Sequence, residues 1–303
     1  MISIEARYKM IDSKFITFIN VAKLKSYTRA AELLNLTQPA VTQHIKLLED
    51  YYGVKLINRK GRQLFLTPEG ELLLNYAREL EANSLLFGRA LKNKSSVIKR
   101  YNVGATLTIG EFVLPRLLGE YRRLHGNTDI IMQVYNSDEI IKRLLHGEFD
   151  LGITEGPFDK ERFSYVKMQD DELVLVASPQ DSLAENSAAE LEDIVYGGRL
   201  ILRERGSGTR VVFENKLAEM GYDISQIKVY MEIGSIGAIK SLVEEGLGYT
   251  VISKAAVMRE LSAGTLVTVP IRNVRVMREF NFIYTDKNPE EFIDDFIGFM
   301  THQ

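Results

Sequence analysis

Gln38, Thr42, Gln43 and Lys46 fall at spacings of four, one and three residues, which places them together on one side of a helix. They offer amides that pair with adenine edges, a hydroxyl, and a cation for phosphate or guanine, the chemistry that reads base edges in a major groove. A second polar set lies far along the chain, where strands hand over to helices: Thr106 and Thr108, residues 206–209, and residues 234–235. Free amides, hydroxyls and the positive end of a helix dipole meet at such entrances, and they share a preference for a carboxylate, sulfate or phosphate. Taken alone, each entrance is more often a plain helix cap. Catalytic chemistry is poorly supported. Glu155 and Glu204 have the form of a carboxylate pair across a cleft, but no histidine, nucleophile motif or metal cluster accompanies them, which favours a surface or ligand-bonding role. Residues 206–209 do not form a Walker loop, since no Gly-Lys-Ser or Gly-Lys-Thr follows, and no GxGxxG opens a helix. With no cysteine and four scattered histidines, neither a metal nor another cofactor is expected.

The first polar set needs two short helices to present it. Residues 26–51 supply them: Ser26 as a cap, Ala30 and Ala31 small enough for a second helix to cross closely, then a turn at 35–37. Thr37 caps the next helix, whose first turn tolerates Pro39, and Val41, Ile45 and Leu48 form its buried stripe. A helix-turn-helix over residues 27–46 is therefore expected, with Thr28, Arg29, Gln38, Pro39, Thr42, Gln43 and Lys46 toward DNA. Residues 56–66 read as two strands around a basic, glycine-containing turn. This is a wing whose Arg59, Lys60 and Arg62 suit a phosphate backbone. The charge agrees: residues 1–65 carry eleven Lys or Arg against five Asp or Glu, while residues 101–303 carry 21 against 32. The net charge of −3 thus hides a basic head on an acidic body.

Residues 68–94 read as one long helix, in which Leu73, Tyr76, Leu80, Asn83, Phe87 and Ala90 recur as a coiled-coil seam suited to dimerisation. Residues 95–100 are the expected hinge. From residue 101 strands and helices alternate, which predicts parallel sheets covered on both faces. Strands are expected at 101–105, 130–135, 149–154, 173–177, 200–203, 227–233, 249–252 and 275–284. Helices are expected at 108–124, 139–146, 208–220, 236–245 and 289–300, the last capped by Asn288. Chain crossings near 169–171 and near Pro270 divide this body into lobe 1 (101–169 and 270–303) and lobe 2 (170–269). Ligands in open α/β sheets bind at strand carboxyl ends, which brings the polar entrances to the cleft between the lobes.

The run AAELLNLTQPAVTQHIKLLE, followed by Gly53, Leu56, Arg59 and Leu-Thr-Pro-Glu-Gly at 66–70, resembles the winged helix-turn-helix of LysR-type transcriptional regulators. Ile57 and Asn58 depart from the family's usual phenylalanine before the wing, and Ile57 suits the same apolar site. Relatives tend to begin at a position like Met10, so residues 1–9 are expected to be an extension, a cloning remnant or an upstream start. The segments at 102–106, 202–210 and 234–252 are similar to the family's effector domain. The resemblance implies an α/β effector domain of two Rossmann-like lobes, periplasmic-binding-protein-like, behind a winged head at 10–67 and the linker helix. It also implies effector contacts at Thr106, Thr108, Asn136, Thr154, Glu204, Ser207, Gly208, Thr209 and Ser235. Arg205, where relatives often carry proline, is open between a ligand charge and a solvated side chain.

The expected partners are double-stranded DNA, a small anionic effector, and further copies of the chain as a dimer through the linker helix and a tetramer beyond it. With no apolar run of about 18 residues and no charged-then-apolar leader, no membrane partner is expected and a cytoplasmic location is. The rival reading is a small-molecule binder or cleft enzyme whose helical head does not read DNA. A solute-binding transport protein shares the two-lobe plan but would need an export signal and would lack the basic head.

Overall fold

The computed structural model describes residues 11–60, 63–96, 98–185 and 187–301. Its first unit opens with helix α1 (Ser13–Leu24), which the sequence reading did not anticipate. The pair α2 (Tyr27–Leu34) and α3 (Gln38–Tyr52) follows, then the hairpin β1 (Ile57–Lys60) and β2 (Gln63–Leu66), then the long helix α4 (Pro68–Ser95). Ser26 and Thr37 cap as expected: the Arg29 amide donates to Ser26 Oγ and the Ala40 amide to Thr37 Oγ1. Between the helices Asn35 takes a left-handed conformation at φ 54° and closes the tight turn. Ala30 and Ala31 are buried together with Phe18, Val41, Ile45 and Leu48, so the small pair does admit the crossing helix.

The Leu-Thr-Pro-Glu-Gly run joins this head to α4. Thr67 Oγ1 accepts from the Gly70 amide at 2.9 Å and donates to the Lys55 carbonyl at 2.6 Å. Gly70 is required by space rather than by its backbone angles, because a Cβ there would run into the Leu56 carbonyl oxygen. Leu74 and Ala77 of α4 are buried in the head's core and Leu73 packs against it. Leu73 therefore lies off the expected seam. The exposed apolar stripe of α4 is Leu72, Tyr76, Leu80, Phe87 and Leu91, with Asn83 exposed among them.

The second unit is built on one nine-stranded sheet. Its strands are β3 (Lys99–Thr106), β4 (Thr128–Tyr135), β5 (Leu151–Thr154), β6 (Ser164–Ala177), β7 (Leu200–Arg203), β8 (Val229–Ile233), β9 (Tyr249–Ser253), β10 (Val267–Val269) and β11 (Val276–Tyr284). In space the order is β4-β3-β5-β11-β6-β9-β7-β8, with β10 on β6. Pairs β3/β4, β3/β5, β7/β8 and β7/β9 are parallel, as expected, whereas β6 and β11 run antiparallel to each other and to their neighbours. Around the sheet lie a π-helical turn (Ile109–Val113) running into α5 (Leu114–Leu124), then α6 (Ser137–Leu145), α7 (Leu191–Tyr196), α8 (Gly208–Glu219), α9 (Ile236–Glu244), α10 (Lys254–Ala263) and α11 (Glu290–Thr301).

Three expectations change. Residues 164–172, taken as connection, are the first half of the long strand β6, because polar and charged side chains there alternate without an apolar run to mark them. The crossings therefore lie inside two paired strands. Beside Gln169 the β11 partner shifts register between Phe280 and Asn281, and Pro270 lies before that crossing begins. Asn288 does not cap α11 with its side chain, since Oδ1 accepts from the Thr285 amide and hydroxyl while Nδ2 donates to the Phe149 carbonyl. The hinge also shortens, as Lys99 and Arg100 already pair in parallel with Thr128 and Asp129. Separate apolar clusters fill the two halves: Val103, Leu151, Phe280, Phe282 and Phe296 in lobe 1, and Leu175, Leu202, Phe213 and Val251 in lobe 2.

Candidate functional site

In the head, Thr28, Arg29, Gln38, Pro39, Thr42, Gln43, Lys46 and Arg59 are all exposed. Gln38 Nε2 donates to Thr42 Oγ1 at 2.9 Å, and that hydroxyl donates to the Gln38 carbonyl, so the two side chains form one polar ridge along α3. Arg62 and the side chain of Lys60 lie outside the described residues. Bonds along α3 tie it to the rest of the head. Thr17 Oγ1 of α1 meets His44 Nδ1 at 2.8 Å and donates its own proton to the Ser13 carbonyl. At the far end Glu49 accepts from the amides of Leu56 and Ile57 and from Lys55 Nζ at 2.6 Å, tying the helix to the wing. Burial pushes the Glu49 carboxyl up, but these donors outweigh it and hold the group below its ordinary range.

The helix entrances of the second unit separate into two kinds. Ser235 is exposed and caps α9, its Oγ accepting from the Ala238 amide at 3.3 Å. Thr108 and Ser207 stand at the corresponding positions of the π-helical turn and α8, yet neither side chain makes a capping bond. Both residues are buried, at 0% and 1% exposure, and neither hydroxyl oxygen has a hydrogen-bond partner among the described residues. Buried hydroxyls are ordinarily satisfied, which makes these two candidates for an external acceptor or donor.

Around them the lobes touch. Ser137 Oγ accepts from Thr154 Oγ1 at 3.1 Å, and Thr154 Oγ1 accepts in turn from the Gly156 amide. A Cβ on Gly208 would stand 2.5 Å from Ser137 Oγ and 2.7 Å from the Gly156 nitrogen, so lobe 2 reaches lobe 1 here only because both positions are glycine. Asn136 supports this edge by capping α6, its Oδ1 accepting from the Glu139 amide at 3.0 Å. Thr106, Asn136, Thr154, Ser207, Gly208 and Thr209 are thus gathered along one seam, and Thr108 lies two residues beyond Thr106 at the start of the π-helical turn. Glu204 takes two bonds from Arg203, at 2.8 and 2.9 Å, and Ser235 uses its hydroxyl to cap α9.

Behind the hydroxyls lies a buried charge cluster. Arg278 of β11 donates through Nε to Asp171 Oδ2 at 2.7 Å and through Nη1 to Thr209 Oγ1 at 2.9 Å, and Nη1 lies 3.7 Å from Glu155. Asp171 also accepts from Ser253 Oγ at 2.8 Å. Thr106 Oγ1 donates to Glu155 Oε2. Burial pushes the Glu155 carboxyl up, with Arg278 and Arg203 pulling only part of the way back. Glu155 thus lies against Arg278 and shares the field of Arg203 with Glu204, which takes both of that arginine's bonds. Arg278, Asp171 and Ser253 were missed from sequence. The signal for Arg278 was present: residues 276–280 alternate, so position 278 shares its buried face with Val276 and Phe280.

Comparison with known proteins bears on this arrangement. Residues 13–71 match the bacterial regulatory helix-turn-helix proteins of the lysR family, and residues 95–303 match the LysR substrate binding domain. An HTH-type transcriptional regulator of Methanocaldococcus jannaschii is 34% identical, covering 95% of this chain and 98% of its own. The HTH-type transcriptional activator CmpR of a Synechocystis species is 31% identical, covering 89% of this chain and 88% of its own. Among solved structures, OxyR of Corynebacterium glutamicum superposes with a TM-score of 0.59 at 22% identity, over 96% of this chain and 91% of its own. The CcmR regulatory domain of Synechocystis, solved in complex with 2-PG, gives 0.59 at 25% identity, over 67% of this chain and 98% of its own. A winged head and an α/β effector domain, each matched in its own right, make this chain a member of the LysR family of transcriptional regulators.

Proposed function

We propose that the chain reads double-stranded DNA through α3 and the wing, and that a small anion bound between the two lobes changes how its heads are presented. The observation that carries the ligand reading is the pair of buried, unbonded hydroxyls, Thr108 Oγ1 and Ser207 Oγ, at two helix entrances. The 2-PG complex of the CcmR regulatory domain supports a small ligand for a domain of this shape. The exposed polar ridge of α3, with Arg59 exposed on the wing and basic residues 60 and 62 beside it in sequence, supports the DNA role. The apolar stripe of α4 supports a dimer joined along that helix, since two half-sites need two heads at a fixed separation. A tetramer and a cytoplasmic location follow the family pattern.

A thermal-shift screen with small anionic metabolites tests the ligand reading, because a molecule that binds only the folded state raises its apparent stability. The stabilising anion is expected to lose its effect in Ser207→Ala and in Thr108→Val, while operator affinity measured without it stays within about two-fold of the parent. An unchanged response in both variants moves the site elsewhere.

A further inference from the structure

We infer a second small-molecule site in the effector unit, a groove for a small hydroxycarboxylate with an apolar body, formed where β11 passes between α8 and the loop after β5. The groove encloses about 510 Å³, within the usual range for small-molecule pockets. Thr108 and Ser207 are not among its lining residues, so it is separate from the pair of free hydroxyls.

Two lining side chains carry the argument. Arg278 is 6% exposed, and among the described residues its Nη2 finds no acceptor although Nε and Nη1 are both bonded. Asn281 is also 6% exposed, and among the described residues its Oδ1 finds no donor while Nδ2 donates to the Glu279 carbonyl at 3.4 Å. One buried cationic donor and one buried neutral acceptor thus lie unpaired three residues apart on one strand, an arrangement native interiors seldom leave standing. A carboxylate meets the first and a hydroxyl meets the second. Lys160, exposed at the rim, holds its ammonium 5.0 Å from the Tyr165 ring, with no carboxylate bonded to it among the described residues. It adds positive charge on the side from which an anion would enter. Phe158, Val212 and Met277 supply an apolar wall for the body of the ligand.

The site is also tied to the seam. The guanidinium that lines the groove holds Thr209 at 2.9 Å and Asp171 at 2.7 Å, so an occupant shares Arg278 with the first site. Binding at either place is then coupled to the other through one side chain.

The chain contains no tryptophan, so Phe158→Trp places a single indole in the groove. Titration of that full-length variant with mandelate is expected to give a saturable change in fluorescence. Phenylacetate, which lacks the hydroxyl, is expected to bind about ten-fold more weakly, as is mandelate to the added variants Lys160→Gln and Asn281→Leu. Ser207→Ala in the same background is expected to leave mandelate binding within about two-fold. Lys160 is exposed, so its variant keeps the test sharp even where Asn281→Leu fails to fold. The absence of a saturable response overturns the proposal, as does equal binding of mandelate and phenylacetate. Loss of binding in Ser207→Ala assigns the ligand to the seam and overturns it as well.

Discussion

The head and the body keep their chemistry in opposite places. In the head, the side chains proposed to face DNA are exposed and come from one short stretch of chain, and the buried groups hold them in position. In the body, the groups proposed to face a ligand are buried and are drawn from Thr106, Thr154, Ser207 and Arg278, which are far apart in sequence. An exposed reader bears changes in its working residues without unfolding, because nothing is packed on them. A buried receptor does not separate the two, since its polar groups also join the lobes. The head must be ready before its partner arrives, whereas the body must yield to its own.

Substitutions that strike one region and spare the other test this contrast. The largest effect is expected from Gly70→Ala, whose added Cβ meets the Leu56 carbonyl. It is expected to destabilise the head by about 3 kcal/mol, the upper end for forced overpacking, in denaturant unfolding. If the head loses less than about 1 kcal/mol, the junction is not the rigid joint described. Next is Gly208→Ala, which pushes a methyl group against Gly156 and holds the lobes apart. Loss of any ligand-induced thermal shift is expected, with operator binding retained; an intact shift would mean that contact at this seam is not needed.

Gln43→Ala then acts on the exposed reader alone. It is expected to weaken specific binding by about 1–3 kcal/mol and spare nonspecific binding, whereas Arg62→Ala weakens both. Electrophoretic shifts on operator and scrambled DNA distinguish the two, and equal loss of specificity in both variants breaks the assignment. The smallest effect is expected for Glu155→Gln. Burial raises the Glu155 carboxyl above its ordinary value of 4.5, so its contribution to stability is complete below that value and is lost as pH rises through the raised one. The amide mimics the protonated form, so the variant is expected to gain thermal stability over the parent at pH 8 and to lose that gain at pH 4. A constant difference across that range would assign Glu155 as ionised throughout.

The two regions also differ in how far they could be read from sequence. The capping bonds of Ser26, Thr37 and Thr67 each reach an amide three residues on, so these roles are legible in the local string. Thr108, Ser207 and Ser235 look alike in sequence. Only the fold shows that Ser235 spends its hydroxyl on a cap while the other two do not. Arg278 was overlooked because a charged residue in a strand reads as solvent-facing, and its partners Asp171 and Thr209 lie 107 and 69 residues away. The first half of β6 was missed for a related reason. Its pairing with β11 is supplied by a segment more than a hundred residues distant, which no local pattern announces. Leu73 was placed on the dimer seam by its spacing alone, but the head's core claims it.

Both lobes hang from β6 and β11, and each of these strands passes from one lobe into the other without a break. Such a connection behaves as a leaf spring rather than as a pin. If the lobes close on a ligand as proposed, the change of angle must be taken up as twist along this hydrogen-bonded ladder, whose register slips beside Asn281. A spring has a resting angle and resists displacement in either direction. On that proposal no separate latch is required for the return from a liganded state, because the resting angle is written in the sheet itself.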